Sequence, residues 1–201
     1  MTGSTQDKIR NYLVQKGRGV FIFLQDFALY GNNDAVKKAF QRLSNEGTIL
    51  RIANGIYYYP KIDTQLGIGV LHPSIDEVAH AIAERDKTTI IPTGSYALNM
   101  LGLSTQVVTN AVYLTNGSPR RIKVGSGKGI LFIHTSDNKM LSFHSRLMLL
   151  IVSAMREIGD GKITESEINI IKKHLTHVTE DDFQHDISLA PIWVRNILLQ
   201  K

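Results

Sequence analysis

The stretch that decides the fold of this chain is residues 31–60, GNNDAVKKAFQRLSNEGTILRIANGIYYYP. Val36, Phe40 and Leu43 fall at i, i+4 and i+7 with Ala39 beside them, the spacing of a helix that buries one face. Asn33 precedes that helix as its expected N-cap, because a side-chain amide oxygen there can accept from the unpaired N–H groups of the first turn. Gly47 is the expected C-cap, so the spacing predicts a helix over 34–46. Two β-prone runs follow, 48–52 and 56–59. Between them Ala53-Asn54-Gly55 contains the Asn-Gly pair of a tight hairpin turn, and Pro60 closes the unit.

Upstream, residues 5–16 read as a helix capped by Thr5, with Ile9, Tyr12 and Leu13 on one face and Gly17 and Gly19 ending it. Residues 20–23 are β-like, and 26–30 suit a helical turn. Helix, β segment, short helix, helix and hairpin in about 60 residues is the order of a winged helix-turn-helix. If Val36 marks the core direction, at about 100° per residue, then Asp34, Lys38, Gln41, Arg42 and Asn45 point away from it, with Lys37 and Ser44 at the flank. Lys and Arg offset phosphate charge, while Gln, Asn and Arg can read base edges in a major groove. Arg51 and Asn54 in the hairpin can touch a backbone or minor groove. The expected DNA-binding set is therefore Asn33, Lys37, Lys38, Gln41, Arg42, Arg51 and Asn54. The run Tyr57-Tyr58-Tyr59 reads as a strand packing its aromatics on the helices rather than as a base-stacking platform.

Downstream, Gly67 and Gly69 mark a linker that ends at Pro73. Ser74 caps an expected helix to about residue 86, with Ile75, Val78, Ala79 and Ile82 as its stripe. A strand at 88–91, a short helix at 93–101 and strands at 111–115, 120–124 and 129–134 follow. The turns are Asn116-Gly117-Ser118-Pro119 and Gly125-Ser126-Gly127. From Ser145 the pattern is helical: 146–158, 165–175, about 180–188 and 191–199, with Pro191 at a first helical position. The fold class expected is α+β: an N-terminal winged helix-turn-helix at 1–65, then a mixed α/β domain with a helical tail at 70–201. Residues 147–155 are apolar nearly all round, as in the buried centre of a domain. Arg121 and Lys123 share one face of a strand, either as a solvated basic face or as a contact for an acidic partner.

The net charge of +5 over 201 residues is uneven. Residues 1–65 carry nine Lys/Arg against five Asp/Glu, residues 66–160 nine against seven, and residues 161–201 five against six. The excess lies in the first third, which favours a polyanionic partner there. Cysteine is absent, which excludes disulfides, thiolate metal sites and cysteine nucleophiles. No apolar run is long enough to span a bilayer, and the first residues, from Met1 and Thr2, lack the apolar stretch of a signal peptide. A cytoplasmic location and no membrane partner are expected.

Two ordered segments carry a family resemblance. Residues 42–60, RLSNEGTILRIANGIYYYP, resemble the "RL…EG…R…G.YYYP" segment of abortive-infection AbiE-type antitoxins. Residues 92–106, PTGSYALNMLGLSTQ, resemble their second-domain "TG.AL..LGL.TQ" segment, and residues 112–115 and 129–132 continue the match. The resemblance covers residues 5–135 and fades over 145–201. It implies a phage-defence antitoxin of a type IV toxin–antitoxin system. The N-terminal winged helix would bind double-stranded operator DNA and act as a transcriptional regulator, the repressor of its own operon. The C-terminal domain would counteract a nucleotidyltransferase-like toxin, with Arg121 and Lys123 as the first candidates for its antitoxin or partner surface.

Other motifs do not reach the chemistry that they suggest. Gly125-Ser126-Gly127-Lys128-Gly129 has Ile122 and Gly129 where a phosphate loop needs glycine and Ser/Thr, so it reads as a hairpin turn. Aligning Gly161 and Glu167 with an EF-hand loop puts Arg156 and Ile158 at oxygen-ligand positions. Thr164 therefore reads as a helix cap. His174, His177 and His185, near Asp181, have no metal-binding order and read as solvent-facing, and His134 and His144 have no evident carboxylate partner. Gly94-Ser95-Tyr96-Ala97 lacks the last glycine of a nucleophile elbow, and an Asp…Glu-x-Lys nuclease set is missing. No metal, no cofactor and no enzymatic activity are expected. The alternative to a DNA-binding antitoxin is a protein-interaction adaptor that uses the winged helix as a docking module.

Overall fold

The computed structural model describes residues 3–125 and 127–200. Met1 and Thr2 at the start, Ser126 of the 125–127 turn, and Lys201 lie outside the described residues. The protein mixes helices and strands, and it divides into two compact units. One comprises Met1–Ala81 with Lys123–Gly127, the other Ile82–Ile122 with Lys128–Lys201. No helix among the described residues is long and apolar enough to cross a membrane.

The first unit opens with α1 (Thr5–Lys16), capped not by Thr5 but by Ser4. The Ser4 hydroxyl accepts from the Asp7 N–H at 3.2 Å, and the Asp7 carboxylate accepts from the Ser4 N–H at 3.1 Å, so both ends of the capping box close. Strand β1 (Val20–Phe23) leads into a 3-10 segment, Leu24–Tyr30, and then into α2 (Asn33–Asn45). The cap of α2 is Asn32, whose amide oxygen accepts from the Ala35 N–H at 2.8 Å. Asn33 is instead the first helical residue. In α2, Val36, Ala39, Phe40 and Leu43 are buried as the spacing requires, and the helix ends in a Schellman motif. There the Thr48 N–H reaches the Leu43 carbonyl and the Gly47 N–H that of Ser44, with Gly47 at a φ of +71°.

Strands β2 (Leu50–Ala53) and β3 (Ile56–Tyr59) pair antiparallel across the two-residue turn Asn54-Gly55, and β3 is central in the order β1-β3-β2. The tyrosines pack as expected: the Tyr57 ring lies 4.8 Å from Phe40 and that of Tyr58 4.8 Å from Phe21. Phe27 meets Tyr12 and Phe40 edge-on at 5.0 and 5.2 Å, fixing the 3-10 segment on both helices. The glycine-bearing stretch read as a linker is structured. Strand β4 (Lys61–Asp63) pairs antiparallel with β5 (Gly69–Leu71), because the chain reverses between them over an Asx turn. In that turn Asp63 Oδ1 accepts from the Gln65 and Leu66 N–H groups. Helix α3 (Ile75–Asp86) begins at a capping box of Ser74 and Glu77, and the unit boundary falls within it.

The second unit is built on a four-stranded sheet of order β6-β7-β9-β8, the last two residues of β8 being counted with the first unit. Its strands are β6 (Ile90–Thr93), β7 (Asn110–Thr115), β8 (Arg120–Val124) and β9 (Lys128–His134). Strand β6 is antiparallel to β7, and β7 runs parallel to β9. Pro92 is tolerated because β6 is an edge strand. Helices α4 (Gly94–Met100), α5 (Asn138–Leu141), α6 (Arg146–Ile158), α7 (Glu165–Leu175), α8 (Glu180–Ile187) and α9 (Ile192–Leu198) complete the unit. Helix α6 buries every residue from Met148 to Met155. Its one polar member there, Ser153, donates to the Pro92 carbonyl at 2.7 Å. Thr164 caps α7 in a capping box with Glu167. Pro191 is the N-cap of α9 rather than its first helical residue.

Asp86 joins helix and sheet in this unit, accepting from Arg85 Nε at 2.8 Å and from Arg120. Desolvation opposes its ionisation, but the bonds from the two guanidinium groups outweigh it and hold the carboxyl below its ordinary value of 3.8. A depressed carboxyl pKa stabilises the fold above the unfolded-state value, and that stability is lost as pH falls through the folded one. Urea midpoints measured from pH ~5 down to ~2 should fall for the native chain. In Asp86→Asn the midpoint should start lower and fall less over the same interval. Equal acid sensitivity in the two proteins would remove Asp86 as a source of it.

Candidate nucleic-acid interface

Helix α2 and the β2–β3 hairpin are fixed to one core, formed by Ile9, Leu13, Ile22, Phe27, Val36, Phe40, Leu43, Ile49 and Tyr57. Their polar side chains are thereby held in a fixed relation. Lys37, Gln41, Ser44 and Asn45 from α2 and Arg51 and Asn54 from the hairpin line one depression of about 410 Å³. Leu24, Gly55 and Tyr57 complete its wall. No carboxylate lines it among the described residues. A β-bulge between Arg51 and Ala53 shifts the register just before the turn and increases the local twist.

The structure brings together Lys37, Gln41, Arg51 and Asn54 of the expected set. Asn33, Lys38 and Arg42 are exposed on α2 but do not line the depression. Ser44 and Asn45 do, because the hairpin approaches α2 on the 37–41–44 side, a direction that helical periodicity cannot supply. Among the described residues Lys37, Lys38, Arg42 and Arg51 form no ion pair, whereas Arg10 is engaged by Glu46 at 2.7 Å. The depression thus presents two uncompensated cations with amide and hydroxyl groups. Such a surface can hold phosphate oxygens and hydrogen-bond base edges. Arg121 and Lys123 are both exposed on β8, and Arg121 donates to Asn110 Oδ1 at 3.1 Å.

His177 is exposed as expected, whereas His174 and His185 depart from expectation. His174 is half-buried and donates from Nε2 to the Leu101 carbonyl at 3.0 Å, and His134 donates from Nδ1 to the Gly117 carbonyl at 3.0 Å. His144 and His185 stack at 3.5 Å with planes 5° apart, next to fully buried Asp186. His185 Nδ1 donates to Asp186 Oδ1 at 2.8 Å. The backbone N–H groups of His144 and Ser145 also donate to this carboxylate, each at 2.8 Å. His144, His185 and Asp186 offer ligand atoms within 4.8 Å of one another, the one group among the described residues with metal-ligand chemistry. An ion in the plane of one stacked ring lies well off the plane of the other, and imidazole binds metals in its plane. Both carboxylate oxygens already accept N–H groups. In this arrangement the cluster anchors the start of α6. The signal was hidden because His144 and Asp186 lie 42 residues apart.

Fold and site together define an α+β protein whose N-terminal unit carries a cation-lined recess between a helix and a hairpin. The chain belongs to the DUF6088 family, described as a family of unknown function, which matches residues 8–183. Comparison with curated proteins finds no match.

Proposed function

We propose that the N-terminal unit is a winged helix-turn-helix that binds double-stranded operator DNA, with α2 as the recognition helix and the β2–β3 hairpin as the wing. The observation that carries this reading is the recess in which Lys37, Gln41, Arg51 and Asn54 converge with no carboxylate among its lining residues. Gln41 and Asn45 supply the amide groups that read base edges. Lys37 and Arg51, with Lys38 and Arg42 beyond the recess, neutralise phosphates. The excess charge of residues 1–65 has the same sign.

From the AbiE-type resemblance we further propose an autorepressing, cytoplasmic antitoxin without enzymatic activity. Its α/β part, with Arg121 and Lys123 exposed on β8, counteracts a nucleotidyltransferase-like toxin. The DNA reading is tested by anisotropy titration of the full chain with duplex from upstream of its own gene at several salt concentrations. Affinity should fall with salt, with a log–log slope of roughly 0.9 for each phosphate contacted. Absence of binding, or binding indifferent to salt, overturns it. The antitoxin reading is tested separately, by growth rescue on co-expression with the neighbouring toxin gene.

A further inference from the structure

The pair Asn-Gly occurs twice in the chain, at Asn54-Gly55 and at Asn116-Gly117. Such a pair carries a latent reaction, in which the glycine backbone nitrogen attacks the side-chain carbonyl carbon of the asparagine. No Cβ on the glycine obstructs that approach. The reaction needs a side chain free to swing onto the nitrogen, and an N–H that is not already committed.

The two pairs differ on both counts. At the second, Asn116 Oδ1 accepts from the Thr89 N–H at 2.9 Å, and the Gly117 N–H donates to Thr115 Oγ1 at 3.0 Å. The Thr88 side chain packs against Gly117 and leaves no room for a Cβ there. At the first, Asn54 is exposed. Neither its side chain nor the Gly55 N–H has a hydrogen-bond partner among the described residues. Nothing crowds Gly55 on the side where a Cβ would stand. Asn54 also shares the recess with Lys37 and Arg51, and nearby cations favour a developing anion.

We propose that Asn54 is a deamidation site, and that its conversion to a carboxylate switches off the recess between α2 and the hairpin. Gly55 N bonds to Asn54 Cγ, the Cγ–Nδ2 bond breaks, and ammonia leaves with the Gly55 amide proton. Water then adds to either carbonyl of the cyclic imide. This leaves aspartate or isoaspartate with one new negative charge, and water is the only co-reactant. The carboxylate competes with phosphate for Lys37 and Arg51 and repels the duplex. The effect on binding rests on the DNA reading, whereas the chemistry at Asn54 does not.

The native full chain is held warm in mildly alkaline buffer, and each sample is split between peptide mass spectrometry and anisotropy titration with upstream duplex. The peptide holding Asn54 should gain about one dalton, several-fold faster than the peptide holding Asn116. The dissociation constant for duplex should rise roughly tenfold as Asn54 converts. Asn54→Asp should show the weakened affinity from the start. Asn54→Gln, whatever its own starting affinity, should hold it through the same incubation. An Asn54 peptide of unchanged mass, or an Asn116 peptide that converts as fast, overturns the site. A converted chain that binds duplex as the fresh one does overturns the switch, as does equal loss of affinity in Asn54→Gln. A fresh chain that binds no duplex overturns the DNA reading alone, and the two peptide masses still decide the modification.

Discussion

Alanine at both Lys37 and Arg51 is expected to weaken binding to upstream DNA and to flatten its salt dependence by roughly 0.9 per lost phosphate contact. The two residues come from different elements, α2 and β2, yet line the same recess. Lys38→Ala with Arg42→Ala should flatten the slope similarly, since both side chains are exposed on the same helix. Gln41→Ala should behave differently. It removes an amide proposed to read bases and no charge, so discrimination between base pairs should fall by about 1–3 kcal/mol while the slope stays. Anisotropy titrations on matched and scrambled duplexes separate the two effects. If both cation pairs leave the affinity untouched, α2 is not the reading helix.

The second large effect is on stability. Asp186→Ala should lower the unfolding free energy by about 2–4 kcal/mol, because two backbone donors each lose a charged acceptor and an orphaned donor costs about 1–3 kcal/mol. The donors are the N–H groups of His144 and Ser145, and Ser145 is the N-cap of α6. The loss therefore falls at the start of the most buried helix. His185→Ala leaves both N–H bonds in place and should cost distinctly less. Urea unfolding should show a lower midpoint with an unchanged slope. A midpoint in Asp186→Ala equal to the native one would mean that water replaces the carboxylate.

Periodicity and turn chemistry made most elements legible. The i, i+4, i+7 apolar set of α2, the Asn-Gly hairpin and the caps Ser74 and Thr164 all stand as the sequence implies. The one-residue slips have a common origin. Ser4 and Thr5, or Asn32 and Asn33, are neighbours of nearly equal capping chemistry, and only backbone geometry selects between them. Gly67 and Gly69 suit a loose linker and a hairpin equally, so β4 and β5 were not visible. The parallel pairing of β7 with β9, with β8 between them in sequence, depends on long-range contacts. So does the cluster at Asp186. Within the recess, the residue types could be read from helix and hairpin separately. Their convergence on the Ser44 side came from packing of the hairpin.

The anchoring of α6 by Asp186 also sets an order of events during synthesis. The carboxylate that accepts the Ser145 N–H is made 41 residues later. At about 5–20 residues per second the ribosome needs a few seconds to reach it. Through that interval the His144 and Ser145 N–H groups, just before α6, lack the carboxylate that accepts them in the finished protein, and α6 carries the residues from Met148 to Met155 that the finished protein hides. A nascent chain that stalls before α8 thus presents a long apolar helix to whatever is nearby, and chaperone capture is its natural fate. The last helices therefore decide when the centre of the domain is safe from misassembly.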